Sequence, residues 1–187
     1  MSAVAPTHEP SPRSRRATAI ATVTVALALA LVAVGLRRTT PPASGLEGER
    51  IAPVSLAVLT MRPHPDVQRV ALGAPTGKPT LVHFWGPSCA PCVEEAPAID
   101  ALAAEADGAG FEVLTISAED APDIRELMLG KGLQFRVLHD AAGAAHTAFR
   151  VAAIPHSFVL DAQGVVRREF VGPQPTATLR EALLAAR

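Results

Sequence analysis

The chain has 187 residues, two cysteines, 49% hydrophobic residues and a formal net charge of −1. That length suits one domain with an appendage. Two cysteines build neither a multi-bridge secreted scaffold nor a four-thiolate zinc site, and the near-neutral balance argues against a nucleic-acid partner.

The average hides an asymmetry. Residues 1–45 carry five arginines against Glu9, a balance of +4, and residues 46–187 carry 12 basic and 17 acidic residues, a balance of −5. Ala17 to Leu36 is twenty residues without a charge, Pro, Asn or Gln. As a helix it rises about 30 Å, the thickness of a bilayer's hydrocarbon core. Arg13, Arg15 and Arg16 precede it, so the basic side is expected to stay cytoplasmic. A cleaved signal peptide is the alternative, but its apolar region is usually shorter. A buried helix would show a polar stripe, and only three Thr interrupt this one. The expected organisation is a short cytoplasmic tail (1–16), a transmembrane signal anchor (17–36), a linker (37–50) and a folded domain (51–187).

In the body, Val54–Val58 alternates as an edge strand does, and a short strand is expected at Gln68–Leu72. Thr80–Trp85 is a nearly unbroken apolar run, the pattern of a central strand buried on both faces. A helix follows over Ala90–Ala106, then a buried strand over Phe111–Ser117. Pro122–Lys131 is a helix opened by Pro and closed by Gly. Gln134–Leu138 is a strand and Ala142–Phe149 a short helix. His156–Leu160 and Val165–Phe170 flank a turn, Asp161-Ala162-Gln163-Gly164, and Thr176–Ala186 closes as an amphipathic helix. Strands alternating with helices give an α/β fold with a mixed sheet.

Trp85-Gly86-Pro87-Ser88-Cys89-Ala90-Pro91-Cys92 sits where a buried strand passes into a helix. A cysteine there meets free backbone N–H groups and the positive end of the helix dipole, which stabilise its thiolate. Cys89 holds that position, with Cys92 one turn on. This predicts Cys89 as the exposed nucleophile and Cys92 as the buried resolving thiol. A bare Cys-x-x-Cys also admits half a metal site or a structural disulfide. Metal binding would need further soft ligands, and a four-residue loop constrains little chain entropy. Pro91 lies in the first helical turn, where its missing N–H costs nothing. Ile154-Pro155, ahead of an apolar strand, is open to a cis or a trans peptide, and a cis loop beside the thiols offers a backbone edge to an extended peptide. Glu95 shares a helix face with Cys92 and is either a proton carrier for that thiol or a solvated carboxylate. His83 is either a satisfied core histidine or a proton relay.

The strings LVHFWGPSCAPCVEEAP and DAAGAAHTAFRVAAIPHSFVLDAQGVV resemble the membrane-anchored thiol–disulfide oxidoreductases of the TlpA/ResA/CcmG type, in the thioredoxin superfamily. The resemblance runs from about Val54 to the C-terminus. It implies a thioredoxin-like fold, with a central mixed sheet flanked by helices. It implies Cys89 as attacking thiol, Cys92 as resolving thiol, Pro155 as a cis-proline facing them, and Glu95 as the acid near the buried thiol. Trp85, Pro91, Ile154 and Pro155 are expected at the substrate face. Residues 119–138 fit the insertion that separates such proteins from plain thioredoxin. The implied function is an extracytoplasmic, membrane-tethered protein-disulfide reductase. Its implied partners are disulfide-containing proteins of the cytochrome c or copper-site maturation type and a membrane electron donor. No cofactor or metal is expected. An oxidase or isomerase of the same fold and a copper metallochaperone are the alternatives. A peroxidase-like enzyme fits less well, because the second cysteine is redundant for peroxide attack. Three positions depart from the pattern: Ser88 replaces the usual aromatic before the first Cys, His83 stands where relatives carry Asp or Asn, and Ser157 replaces Thr.

Overall fold

The computed structural model describes residues 43–60 and 68–187. The expected tail and anchor, and the first six residues of the expected linker, lie outside the described residues. Among the described residues no helix is long and apolar enough to cross a membrane.

Among the described residues seven strands form one mixed sheet. They are β1 (Val54–Val58), β2 (Arg69–Leu72), β3 (Thr80–Phe84), β4 (Glu112–Ser117), β5 (Val137–His139), β6 (His156–Leu160) and β7 (Val166–Val171), in the order β2-β1-β5-β4-β3-β6-β7. β3 runs parallel to β4 and antiparallel to β6. All five of its residues are buried, which is why it reads as an unbroken apolar run. β1 lies between β2 and β5 rather than at the edge, so the expected edge position belongs to β2. The β5 strand begins three residues later than expected, because Gln134 and Phe135 instead give their N–H groups to Asp100 Oδ1, each at 2.7 Å.

Among the described residues four helices cover the sheet: α1 (Ala90–Ala109), α2 (Ala121–Lys131), α3 (Ala144–Ala148) and α4 (Thr176–Ala185). Alternation along β3 divides the core. Leu81 and Trp85 pack with Cys92, Ile99 and Leu102 of α1 and Leu179 and Leu183 of α4. Val82 and Phe84 point the other way, toward Leu114, Phe149 and Phe158. There Phe84 meets Phe149 and Phe158 with ring centroids 5.3 and 5.9 Å apart. α1 ends on Gly110, at φ 73°, whose N–H returns to the Ala106 carbonyl. That left-handed conformation suits a residue without Cβ.

The stretch up to Glu49 and Arg50, expected as linker, is part of the folded body from Ser44 onward. Leu46 is 2% exposed in the second core. The Gly48 N–H bonds the Val166 carbonyl at 2.8 Å, and Glu169 accepts the N–H groups of Ser44 and Gly45. One apolar anchor and a handful of strand-like backbone bonds suffice to dock the segment, and neither shows as a periodic pattern.

Candidate active site

β3 ends at Phe84, and the chain turns through Gly86-Pro87-Ser88-Cys89, closed by the Cys89 N–H to the Gly86 carbonyl at 3.1 Å. α1 then starts with Cys89 as its N-cap, and Cys89 Sγ accepts the Cys92 N–H at 3.3 Å. A sulfur therefore fills the role that a Ser or Asp oxygen usually takes at this position. Cys89 and Cys92 are joined by a disulfide, with Cα atoms 5.2 Å apart. The pair is asymmetric: Cys89 is partly exposed and Cys92 is 0% exposed.

The Ile154–Pro155 peptide is cis, and the Ile154 carbonyl oxygen lies 3.6 Å from Cys89 Sγ. Pro155 itself is buried and Ile154 partly exposed, so at this loop the surface beside the thiols is Ile154 and its backbone. Pro91 is exposed. Trp85 is not at the substrate face: it is 1% exposed and packs edge-on against Phe135 at 5.3 Å. Strand alternation turns its ring inward beside Leu81.

Glu95 is 9% exposed. Its Oε1 accepts the Gln174 N–H at 3.0 Å, and its Oε2 is buried without a partner. Burial raises its pKa, and the Gln174 bond opposes that rise. Gln174 belongs to the loop that also supports the cis step, since the Gly172 N–H bonds the Pro155 carbonyl at 2.8 Å. His83 shares the strand face of Leu81 and Trp85, and its Nδ1 lies 2.9 Å from Ser157 Oγ. Burial, aided by nearby His156, lowers its pKa to about 4, so the ring is neutral at physiological pH.

Three contributors escape a reading of the sequence alone. Gln174 is one. The buried pair of His156 Nε2 and Glu169 Oε1, 2.9 Å apart directly behind the cis step, is another. The third is Glu119, whose carboxylate accepts the Ser88 N–H at 3.0 Å and the Ser88 hydroxyl at 2.7 Å. A signal for Glu119 exists: β3 and β4 are parallel neighbours, so the loops after them share the edge of the sheet where sites form. Among the described residues no group of three or more His, Cys, Asp or Glu is gathered in metal-binding geometry.

Fold and site together define a thioredoxin-like α/β domain carrying a Cys-x-x-Cys pair at a strand-to-helix junction. The chain belongs to the AhpC/TSA family, whose pattern matches residues 56–169. It is 30% identical over 108 residues to the thiol-disulfide oxidoreductase ResA of Bacillus thuringiensis subsp. konkukian, a match covering 57% of this chain and 62% of that one. It is 24% identical over 109 residues to the sporulation thiol-disulfide oxidoreductase A of Bacillus subtilis, covering 56% of this chain and 66% of that one. So the matched region spans less than two thirds of either relative. Among solved structures, a putative thiol:disulfide interchange protein DsbE from Chlorobium tepidum superposes with a TM-score of 0.64 at 24% identity, covering 75% of this chain and 96% of that one. That likeness speaks for the fold.

Proposed function

We propose that this chain is a thiol–disulfide oxidoreductase that reduces disulfides in partner proteins. The observation that carries the reading is the asymmetric pair: a partly exposed helix-cap cysteine bonded to a fully buried one, facing a backbone carbonyl of a cis-proline loop. In the reduced form the Cys89 thiolate attacks one sulfur of a target disulfide. The target's second sulfur leaves as a thiolate and takes up a proton. Cys92 then loses its proton, with Glu95 as the nearby buried acid–base group, and its sulfur attacks Cys89 Sγ. That step releases the target's first sulfur as a thiol. Two electrons have passed to the target, and the Cys89–Cys92 disulfide remains. A dithiol donor at the membrane restores the pair.

Residues 17–36 serve as the anchor in this reading, after the tail of residues 1–16, and the catalytic domain stands on the extracytoplasmic side. The basic residues before the apolar run support that orientation. The ResA relative supports a substrate class of protein disulfides, and the maturation of cytochrome c or copper-site thiols fits an anchored reductase in an oxidising compartment.

Trapping tests the reading. Full-length Cys92→Ala should accumulate mixed disulfides through Cys89, identifiable by mass spectrometry, and the wild-type chain should reduce insulin. The absence of both would overturn it. A reduction potential well above the thioredoxin value of about −270 mV would point to an oxidase instead. Tight Cu(I) binding lost in Cys89→Ser, without disulfide reduction, would point to a metallochaperone.

A further inference from the structure

The loops that follow β3 and β4 meet at one point. Glu119, two residues beyond β4, extends across the Gly86–Cys89 turn. Its Oε1 occupies space that only a glycine leaves free, since a Cβ on Gly86 would lie 2.0 Å from it. Both carboxylate oxygens accept the Ser88 N–H, at 3.3 and 3.0 Å, and Oε1 also accepts the Ser88 hydroxyl at 2.7 Å. The Glu119 backbone is itself fixed. Its N–H reaches Ser117 Oγ at 3.4 Å, and its carbonyl accepts from His139 Nε2 at 3.0 Å. Ser88 directly precedes Cys89, so the carboxylate grips the turn one residue ahead of the sulfur.

We propose that Glu119 is a positioning residue for Cys89, one that holds the turn through Ser88 and sets the acidity of the Cys89 thiol with its negative charge. The inference rests on the reading of Cys89 as the attacking thiol. Two effects act at the start of α1. The free N–H groups and the helix dipole favour the Cys89 thiolate. A carboxylate bonded to the adjacent residue disfavours it, because like charges repel, and solvent at this exposed contact keeps that repulsion modest. Glu119 therefore offsets part of the acidity that a helix-cap cysteine would otherwise have. A less stabilised thiolate means a less stable dithiol form, which makes the pair a stronger reductant. The other titratable groups on the neighbouring elements include Glu94 and Glu95 in the next turn of α1, His156 behind the cis step, His139 on the Glu119 carbonyl, Asp120 at the start of α2, and Asp123, Glu126 and Lys131. These last three line, with Pro87 and Ser88, a groove of about 520 Å³.

The test uses the full reduced chain in detergent and reads Cys89 alkylation against pH. Glu119→Gln keeps an oxygen for the Ser88 N–H and removes the charge. Its Cys89 should titrate roughly half to one pH unit lower than wild type, about three- to tenfold more thiolate at a pH below both values. Its reduction potential should become less negative. Glu119→Asp keeps the charge with a shorter reach and should titrate nearer wild type, and Ser88→Ala should do the same. An unchanged or raised Cys89 pKa in Glu119→Gln overturns the inference, as does a Glu119→Asp shift as large as that of Glu119→Gln. Alkylation needs no protein substrate. A chain that shows the shift but fails to reduce insulin keeps Glu119 in this role and loses only the reductase reading.

Discussion

Glu95 and Gln174 join α1 to the loop that supports the cis-proline step, through one carboxylate oxygen at 3.0 Å from a backbone N–H, while the other oxygen is buried and unpaired. That half-satisfied arrangement favours the protonated acid. Burial with only one bond penalises the charged carboxylate more than the neutral acid.

The first prediction concerns the sign of the Glu95 effect. Its folded-state pKa is raised above the ordinary 4.5. The stabilisation from the neutral acid is therefore full below about that pH and is lost as pH rises through the folded value. Glu95→Gln should match wild type in denaturant midpoint at low pH and exceed it increasingly above the carboxylate range. The same variant should flatten the pH profile of thiol exchange and slow the Cys92 step by a factor on the order of 10². Parallel midpoints and profiles across the range would return Glu95 to a passive role.

His83 gives the opposite sign. Its folded pKa is lowered from 6.5 to about 4, so the unfolded chain binds the proton first. Stability is full above pH 6.5 and falls as pH drops toward 4, by about 3 kcal/mol at 1.36 kcal/mol per unit. His83→Asn keeps a polar group within reach of Ser157 Oγ and does not titrate. Subtracting its pH–stability curve from that of wild type should isolate this loss, free of the His156 contribution. Curves that stay parallel between pH 7 and 4 would show that His83 is not held neutral.

The two groups also show where sequence reading succeeds. β3 was legible because burial on both faces removes alternation, and the helix start was legible because Pro91 and Cys89 occupy positions with local causes. The hairpin turn was legible from Asp161 and Gly164, which bond each other as the turn requires. What stayed hidden depends on partners far along the chain. β1 lies inside the sheet because it pairs with β5, some eighty residues on. Leu46 docks because Val166 and Glu169 receive the segment around it. Glu119 meets Ser88 across 31 positions. No local propensity encodes such pairings.

Trp85 supplies a test of one such correction. A ring 1% exposed in the core contributes packing, not substrate contact. Its indole N–H is buried without a partner, so Trp85→Phe removes a costly group along with some volume. The variant should lose only about 1–2 kcal/mol of stability. Its KM for a protein disulfide should stay at the wild-type value. A raised KM with unchanged stability would restore Trp85 to the substrate face.

The last prediction follows from the asymmetry of the cysteines. In the disulfide form Cys89 caps α1 and is partly exposed, while Cys92 is buried with Trp85 and Ile99, and the reduced chain is expected to keep this arrangement. Alkylation by iodoacetamide near neutral pH should modify Cys89 faster by about tenfold or more, since both thiolate fraction and access favour it. The Cys89 pKa should fall below that of a free thiol, about 8.5, even with Glu119 opposing it, because the Cys92 N–H and the helix dipole act on the sulfur directly whereas Glu119 acts across Ser88. Peptide mapping after a timed pulse separates the two sites. Equal labelling would remove the distinction between attacking and resolving thiol. Preferential labelling of Cys92 would reverse the assignment, with the partner disulfide then attacked from inside the fold, where the 0% exposure of Cys92 leaves no room for it.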